Sequence, residues 1–308
     1  MKHVFIVNPK AGHKQDFTDF VSDTEAVMQR LHLDYEIVFT QYAGHAVNLV
    51  TERLPCTEKT RFYACGGDGT MNEVLHGAMG QENWEMTVAP LGSGNDFLKC
   101  FGKVKDFLNI EGLAKGQAVM VDVIKANEHF VLNLLNVGLD AESAYFKSKF
   151  QNLPGVSGPM AYNLGLAFCF FRRYGVEMTI ELDGKPQPDH KFILAAFGNG
   201  TTYGSGYKAT PLATPADGVM DACFFRFVGR MTILKYIPFY QRGEHVGHPG
   251  LKEILYYGKH RQVRIFGLHP LHVCIDGEFF TANEVEMTML PKIVPFVIPL
   301  GMQPSWLE

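Results

Sequence analysis

Arg61-Phe62-Tyr63-Ala64-Cys65-Gly66-Gly67-Asp68-Gly69-Thr70-Met71-Asn72 is the stretch on which the fold turns. An apolar, aromatic run ends in three glycines spread over four positions, and a helix-compatible segment, 71–79, follows. Strand, glycine turn and helix form the unit from which parallel sheets are wound. Glycines at such a turn let backbone N–H groups approach a polyphosphate, and the following helix adds the favourable end of its dipole. Asp68 is the odd residue, because a carboxylate repels phosphate unless a cation lies between them. An acid there implies Mg²⁺ held through water. The competing reading is a tight turn in which Asp68 caps a helix starting near Thr70.

Leu91-Gly92-Ser93-Gly94-Asn95-Asp96 repeats the arrangement after the strand-like segment 86–90. Two such loops at neighbouring strand ends face one crevice at the carboxyl edge of a parallel sheet. Upstream, 3–8 and 35–40 read as short strands. Phe17, Phe20, Val21, Met28 and Leu31, and then Ala46, Val47, Val50 and Leu54, recur at helical spacing. This alternation over 1–125 predicts a parallel sheet covered by helices, an α/β domain of three layers.

From about residue 119 the helical period largely disappears. Strand-like runs at 119–124, 130–137, 176–182, 192–197, 220–227, 263–266, 272–275 and 285–290 are broken by Gly, Pro and Asn. Asp183-Gly184 and Asp276-Gly277 are hairpin signals, so 126–290 is predicted to be an antiparallel β-sandwich. Helical insertions are expected within 141–174 and 231–241. The apolar segment 160–171 contains Tyr162, Asn163 and Gly165 and ends at Arg172-Arg173. It suits a core helix better than membrane contact, and it is too short to span a bilayer.

The 308 residues are 46% hydrophobic and 19% charged, with a net charge of −4, which offers no basic field for nucleic acid. Six scattered cysteines without a close pair fit free thiols in a reducing, cytoplasmic setting. No secretory leader is evident at the amino terminus, and no transmembrane segment is expected. His245, His248, His260, His269 and His272 lack the spacing of a zinc motif and are expected in partly exposed loops.

Taken together, the motifs resemble the lipid kinase family that includes bacterial diacylglycerol kinases, sphingosine kinases and ceramide kinases. The resemblance runs from Asn8-Pro9-Lys10-Ala11-Gly12, through Thr40 with Gly44-His45-Ala46, Gly66 to Glu73 and Leu91 to Asp96, to Asp276-Gly277-Glu278. It implies a nucleotide domain like that of NAD kinase and phosphofructokinase, ATP in a crevice between the two domains, and a carboxyl-terminal segment, 291–308, that returns to the first domain. By similarity Asn8, Pro9, Thr40, Gly66, Gly67, Asp68, Gly69, Thr70, Met71, Asn72 and Ser93 contact ATP. Lys10 or Lys14 reaches a phosphate, or both are solvated charges. Asp217-Gly218-Val219-Met220-Asp221 resembles a further element that holds a structural Mg²⁺ or Ca²⁺ through the Asp217 side chain and the Thr214 and Val219 carbonyls.

Phosphoryl transfer needs an in-line nucleophile, a metal across the phosphates and a base for the hydroxyl proton. Asp68 and Asp96 are expected to organise Mg²⁺ around ATP, and Asp276 or Glu278 to be the base, with Glu278 favoured. Residues two apart on an extended chain point the same way, unless Gly277 turns it. The expected function is ATP-dependent phosphorylation of diacylglycerol or a related lipid by a protein peripheral to the inner membrane surface. The alternatives are an NAD kinase-like enzyme of small molecules and a silent nucleotide- or lipid-binding regulator. A homodimer is compatible with the sequence, but no residue argues for one.

Overall fold

The computed structural model of the chain describes residues 1–11, 17–92, 94–150, 153, 158–172, 174–204 and 206–307. They form two units, Met1–Val123 with Pro291–Glu308, and Ile124–Leu290.

In the first unit β1 (Lys2–Val7), α1 (Phe17–Arg30), β2 (Asp34–Phe39), α2 (His45–Thr51), β3 (Thr60–Gly66), α3 (Asp68–Ala78) and β4 (Trp84–Pro90) alternate, followed by α4 (Ile110–Ala114) and the start of β5 (Gln117–Ala126). The pairing is parallel: Val7 lies opposite Phe39 on one side and Cys65 on the other, and Gly66 lies opposite Pro90. The order is therefore β2-β1-β3-β4, and the winding reverses between β1 and β3. At such a reversal the loops leaving the two strands diverge, and their carboxyl ends frame a crevice. All seven residues of β3 are buried, which is why this strand reads as a continuous apolar run instead of alternating. The carboxyl-terminal segment completes this unit. Phe296 pairs in parallel with Met86, and its ring packs on Phe97, Phe101 and Phe107 at centroid distances of 5.4, 5.0 and 6.4 Å.

The second unit is antiparallel. It comprises β6 (His129–Val131), β7 (Leu134–Gly138), α5 (Leu139–Phe150), α6 (Gly158–Arg172), β8 (Val176–Leu182), β9 (Lys185–Pro186), β10 (Lys191–Gly198), β11 (Met220–Arg226), α7 (Arg230–Arg242), β12 (Leu255–His260), β13 (Gln262–Ile275) and the first part of β14 (Glu278–Ile298). The strands run in the order β12-β11-β10-β7-β13-β14, and β8 pairs with both β10 and β13. Successive residues of β11 feed two cores. Ala222 and Phe224 join Ile180, Ile265 and Val273 on one face, while Cys223 and Phe225 join Ile233, Tyr236 and Tyr240 of α7 on the other. The period of two is that of a pleated sheet with both faces covered.

Four expectations need correction. The strand expected over 130–137 is broken at Leu132-Asn133, and the two runs at 263–266 and 272–275 are one strand with an irregularity between Phe266 and Leu271. Segment 160–171 is core on one face only. Ala161, Gly165 and Cys169 are buried, but Met160, Leu164, Phe168 and Phe171 are exposed. His245, expected in a partly exposed loop, is fully buried.

Candidate nucleotide site and candidate acids

The four strand ends of the first unit carry the sequence motifs. Asn8 follows β1, Thr40 follows β2, Gly67 and Asp68 follow β3, and Leu91 to Asp96 follow β4. Asn8 Nδ2 donates to Thr70 Oγ1 at 3.1 Å, which joins the two loops that flank the reversal. Asn8 Oδ1 in turn accepts the Lys10 N–H at 2.9 Å and turns the chain there. Pro9 and Lys10 are exposed, and Thr40 is buried with its N–H on the Val7 carbonyl at 2.9 Å. Gly12, Lys14 and Ser93 lie outside the described residues.

Asp68 is the first residue of α3, so it does not cap a helix that starts later. Its carboxylate reaches across to the second glycine loop, where Oδ2 accepts the Asn95 N–H and Oδ1 the Asp96 N–H, both at 2.8 Å. The glycines acquire a reason of their own. A Cβ on Gly94 would collide with Asp68 Oδ2, and one on Gly92 with the Gly67 backbone. The glycine-rich composition therefore serves the contact between the two loops before it serves any ligand. The Asp96 carboxylate pairs with Lys99.

Gly67, at the N-cap of the eleven-residue α3, supplies no side-chain cap. The first N–H groups of a helix have no intrahelical carbonyl partner, and together with the dipole they favour an anion. Gly67, Asp68 and Gly69 are half-buried, which suits them to line a site. Met71 and Asn72, next along α3, are buried, 2% and 4% exposed.

The two candidate bases of the second unit are separated by their turn. Asp276 and Gly277 occupy the hairpin between β13 and β14 with φ of 46° and 92°, the left-handed pair favoured in a two-residue turn. Of the two arrangements the sequence leaves open, the turn at Gly277 is the one adopted, and it separates Asp276 from Glu278. Asp276 is buried, its carboxylate accepting N–H groups from Leu132, Asn133 and Leu134 at 2.9, 3.1 and 2.9 Å, while Glu278 is exposed at the start of β14. Asp183, in the other Asp-Gly hairpin, accepts the Arg261 and Gln262 N–H groups in the same manner. In both turns the aspartate anchors an adjoining backbone segment.

The element expected to hold a structural cation is organised differently. Asp217 Oδ2 is 2.5 Å from Lys259 Nζ on β12, and Asp217 Oδ1 accepts the Val219 N–H at 3.3 Å. The same ammonium lies 3.9 Å from Asp221, whose carboxyl is pushed up to about 6 by burial. An ammonium on the carboxylate does not suit a divalent ion, so Thr214, Asp217 and Val219 do not fit the Mg²⁺ or Ca²⁺ site that the resemblance implies.

The comparisons with known proteins agree with this architecture. Residues 2–126 match the diacylglycerol kinase catalytic domain, and residues 133–298 the YegS C-terminal NAD kinase beta sandwich-like domain. The chain belongs to the diacylglycerol kinase-like lipid kinase family. Among relatives of this family, a diacylglycerol kinase of Staphylococcus carnosus is 26% identical over 276 residues, covering 89% of this chain and 87% of its own. One from Staphylococcus aureus (strain MRSA252) is 25% identical over 276 residues, with 89% and 85% covered. A crystal structure of a diacylglycerol kinase from Bacillus anthracis superposes with a TM-score of 0.71 over 99% of this chain and 97% of that one, at 20% identity, and so shares the fold.

For this lipid kinase-family chain, two contacts at the candidate site were not foreseen. Glu73 Oε1 and Oε2 accept the Gly44 and Ala46 N–H groups at 2.8 and 3.0 Å, so α3 holds the amino end of α2. Asn95, with φ of 53°, presents its N–H to Asp68 and donates through Nδ2 to the Gly92 carbonyl at 3.0 Å. An Asn in a glycine loop is a turn signal that could have been read. The Glu73 contact had no such signal, because its partners are 29 and 27 residues away.

Proposed function

We propose that the protein is an ATP-dependent lipid kinase that transfers the γ-phosphoryl group to a hydroxyl of diacylglycerol or a related amphiphile. The observation that carries the reading is the Asp68 clamp: one carboxylate fixes two glycine loops at the sheet reversal of the first unit. The loops and the start of α3 would hold the ATP phosphates by backbone N–H groups. Asp68 would hold Mg²⁺ through water, and the ion would supply charge neutralisation across the phosphates; Asp96, whose carboxylate carries the Lys99 ammonium, suits the ion no better than Asp217 does. The acceptor oxygen forms its bond to the γ-phosphorus as the bond from that phosphorus to the β,γ-bridging oxygen breaks. ADP leaves, and Glu278 takes the hydroxyl proton. Asp276 is the weaker candidate for base because three N–H groups already engage its carboxylate.

The test is phosphate transfer from γ-labelled ATP with Mg²⁺ to mixed micelles of diacylglycerol, monoacylglycerol, sphingosine, ceramide or phosphatidylglycerol, with NAD in parallel. Label is expected in one lipid, and Glu278→Ala is expected to lower turnover by about 10²–10⁴-fold while ATP binding survives. Label in NAD alone, or ATP binding without transfer to any lipid, would overturn the reading. Wild-type turnover in Glu278→Ala would remove Glu278 as the base.

A further inference from the structure

The clamp between the two glycine loops leaves a nucleotide one way to run. A Cβ on Gly92 would lie 2.4 Å from the Gly67 Cα, and Asp68 closes the same side on the Asn95 and Asp96 N–H groups. With that side filled, phosphates at the start of α3 have their nucleoside on the other, over the carboxyl ends of β1 and the edge strand β2. There the loop from Thr40 to His45 is pinned at both ends. The Thr40 N–H donates to the Val7 carbonyl at 2.9 Å, and Glu73 accepts the Gly44 and Ala46 N–H groups. Glu73 lies about 8 Å along the α3 axis from Asp68, a distance that a ribose and its α-phosphate bridge.

Tyr42 stands on this loop with a ring that belongs to no core. It is 55% exposed, yet its orientation is fixed. One face stacks on the His45 imidazole with centroids 4.6 Å apart and planes at 24°, and the hydroxyl accepts from Asn48 Nδ2 at 3.3 Å. No other ring among the described residues packs on Tyr42. His45 is held in its turn. Its Nδ1 accepts the Gln41 N–H at 3.1 Å, which leaves the proton of the neutral imidazole on Nε2, and its own N–H donates to the Tyr42 carbonyl at 3.2 Å. Gly44, with φ of 86°, makes the turn that lets the two rings meet. A flat surface fixed before anything binds loses little freedom when a second ring settles on it.

We propose that Tyr42, backed by His45, is the platform on which the base of the phosphoryl donor stacks, and that it makes the site selective for purine nucleotides. The inference rests on the kinase reading above and adds to it the residue that reads the base. Stacking on an aromatic face accepts any base, because every base has a π-face. The two fused rings of a purine cover more of the phenol than the single ring of a pyrimidine, so the preference follows ring area. Were Tyr42 only a cover for His45, an aliphatic side chain would serve equally well.

The experiment is calorimetric titration of the full chain, with Mg²⁺ present, by ATP, GTP, UTP and inorganic tripolyphosphate, for the wild type, Tyr42→Leu and Tyr42→Phe. Both purine triphosphates are expected to bind more tightly than UTP. Tyr42→Leu should weaken ATP and GTP by roughly fivefold to a hundredfold and leave tripolyphosphate unchanged, while Tyr42→Phe, which keeps the ring, restores purine binding. Tripolyphosphate has no base and reports on the phosphate loops, so its unchanged affinity shows that the leucine variant is folded. ATP bound equally by wild type and Tyr42→Leu overturns the proposal, as does UTP bound as tightly as ATP, or Tyr42→Phe as weak as Tyr42→Leu. Equal loss of ATP and tripolyphosphate assigns Tyr42 to the shape of the loop and also overturns it. Because titration needs no acceptor, the two readings fail separately. Ring-dependent purine binding without transfer to any lipid would sink the lipid kinase and leave the platform standing, whereas a labelled lipid with donor affinity indifferent to Tyr42 would do the reverse.

Discussion

Asp276 and Glu278 show how two acids a residue apart can diverge in role. The left-handed pair at 276 and 277 turns the chain before β14 begins, so one carboxylate is drawn beneath the hairpin and the other is left at the surface. Asp276→Ala would strand the N–H groups of Leu132, Asn133 and Leu134 in a buried setting. Each lost charge-assisted bond costs on the order of 1–3 kcal/mol. Asp276→Ala is therefore expected to lower the denaturant midpoint of unfolding strongly, while Glu278→Ala leaves it near the wild-type value. Similar midpoints in the two variants would refute the division of roles. At this scale the sequence exposed the residue types but not their engagements. Asp68 stood out as an acid among glycines, yet its partners, Asn95 and Asp96, are 27 and 28 residues away. Only the parallel pairing of β3 with β4 brings them within reach.

Among the elements, legibility followed periodicity. Strand β8 is read to the residue, and β1 to β4 are displaced by two residues at most, because apolar runs bounded by glycine or a helix signal leave little freedom. The break between β6 and β7 was hidden, since Leu132 to Leu134 look like any apolar strand until Asp276 takes their N–H groups. The apolar segment in α6 was legible as a helix but not as a face, because composition does not say which side finds a partner. The β11–β12 edge carries a prediction. Asp221 pairs with Lys259 in register, and Lys259 also stands on Asp217, so a lysine supplies the positive charge at this turn. Chelation of divalent ions is expected to leave the thermal midpoint of the apoprotein unchanged. Lys259→Met should lower stability by about 1 kcal/mol, since this pair is partly exposed, and should raise the sensitivity of that midpoint to added Mg²⁺ or Ca²⁺. Stabilisation of the wild type by either ion at this turn, lost in Asp217→Asn, would restore the metal site.

In the molecule as a whole, the net charge of −4 conceals titrating groups of opposite tendency inside the second unit. His245 is buried with Nε2 near the Ala209 carbonyl at 3.2 Å and the Cys223 thiol at 3.6 Å, and burial lowers it from 6.5 to about 4. Asp140 is held by the Tyr203 hydroxyl, which also meets that of Tyr240, and burial pushes its carboxyl from 3.8 up to about 6. The two act in opposite directions. A histidine kept neutral in the fold stabilises above pH 6.5, and that contribution is lost as the pH falls towards about 4, because the unfolded chain binds the proton more readily. An aspartate whose folded pKa is raised stabilises fully below about pH 4, and its contribution is lost as the pH rises through about 6. Each contribution is on the order of 2–3 kcal/mol, so between pH 4 and 6 they nearly cancel. Asp140→Asn removes the falling contribution, and the stability of the variant is expected to climb with pH across this window more steeply than that of the wild type. His245→Gln should tilt the profile the other way. Guanidinium unfolding of the three proteins at pH 4.5 and 6 decides the matter, and parallel profiles would show that neither group titrates differently in the folded chain.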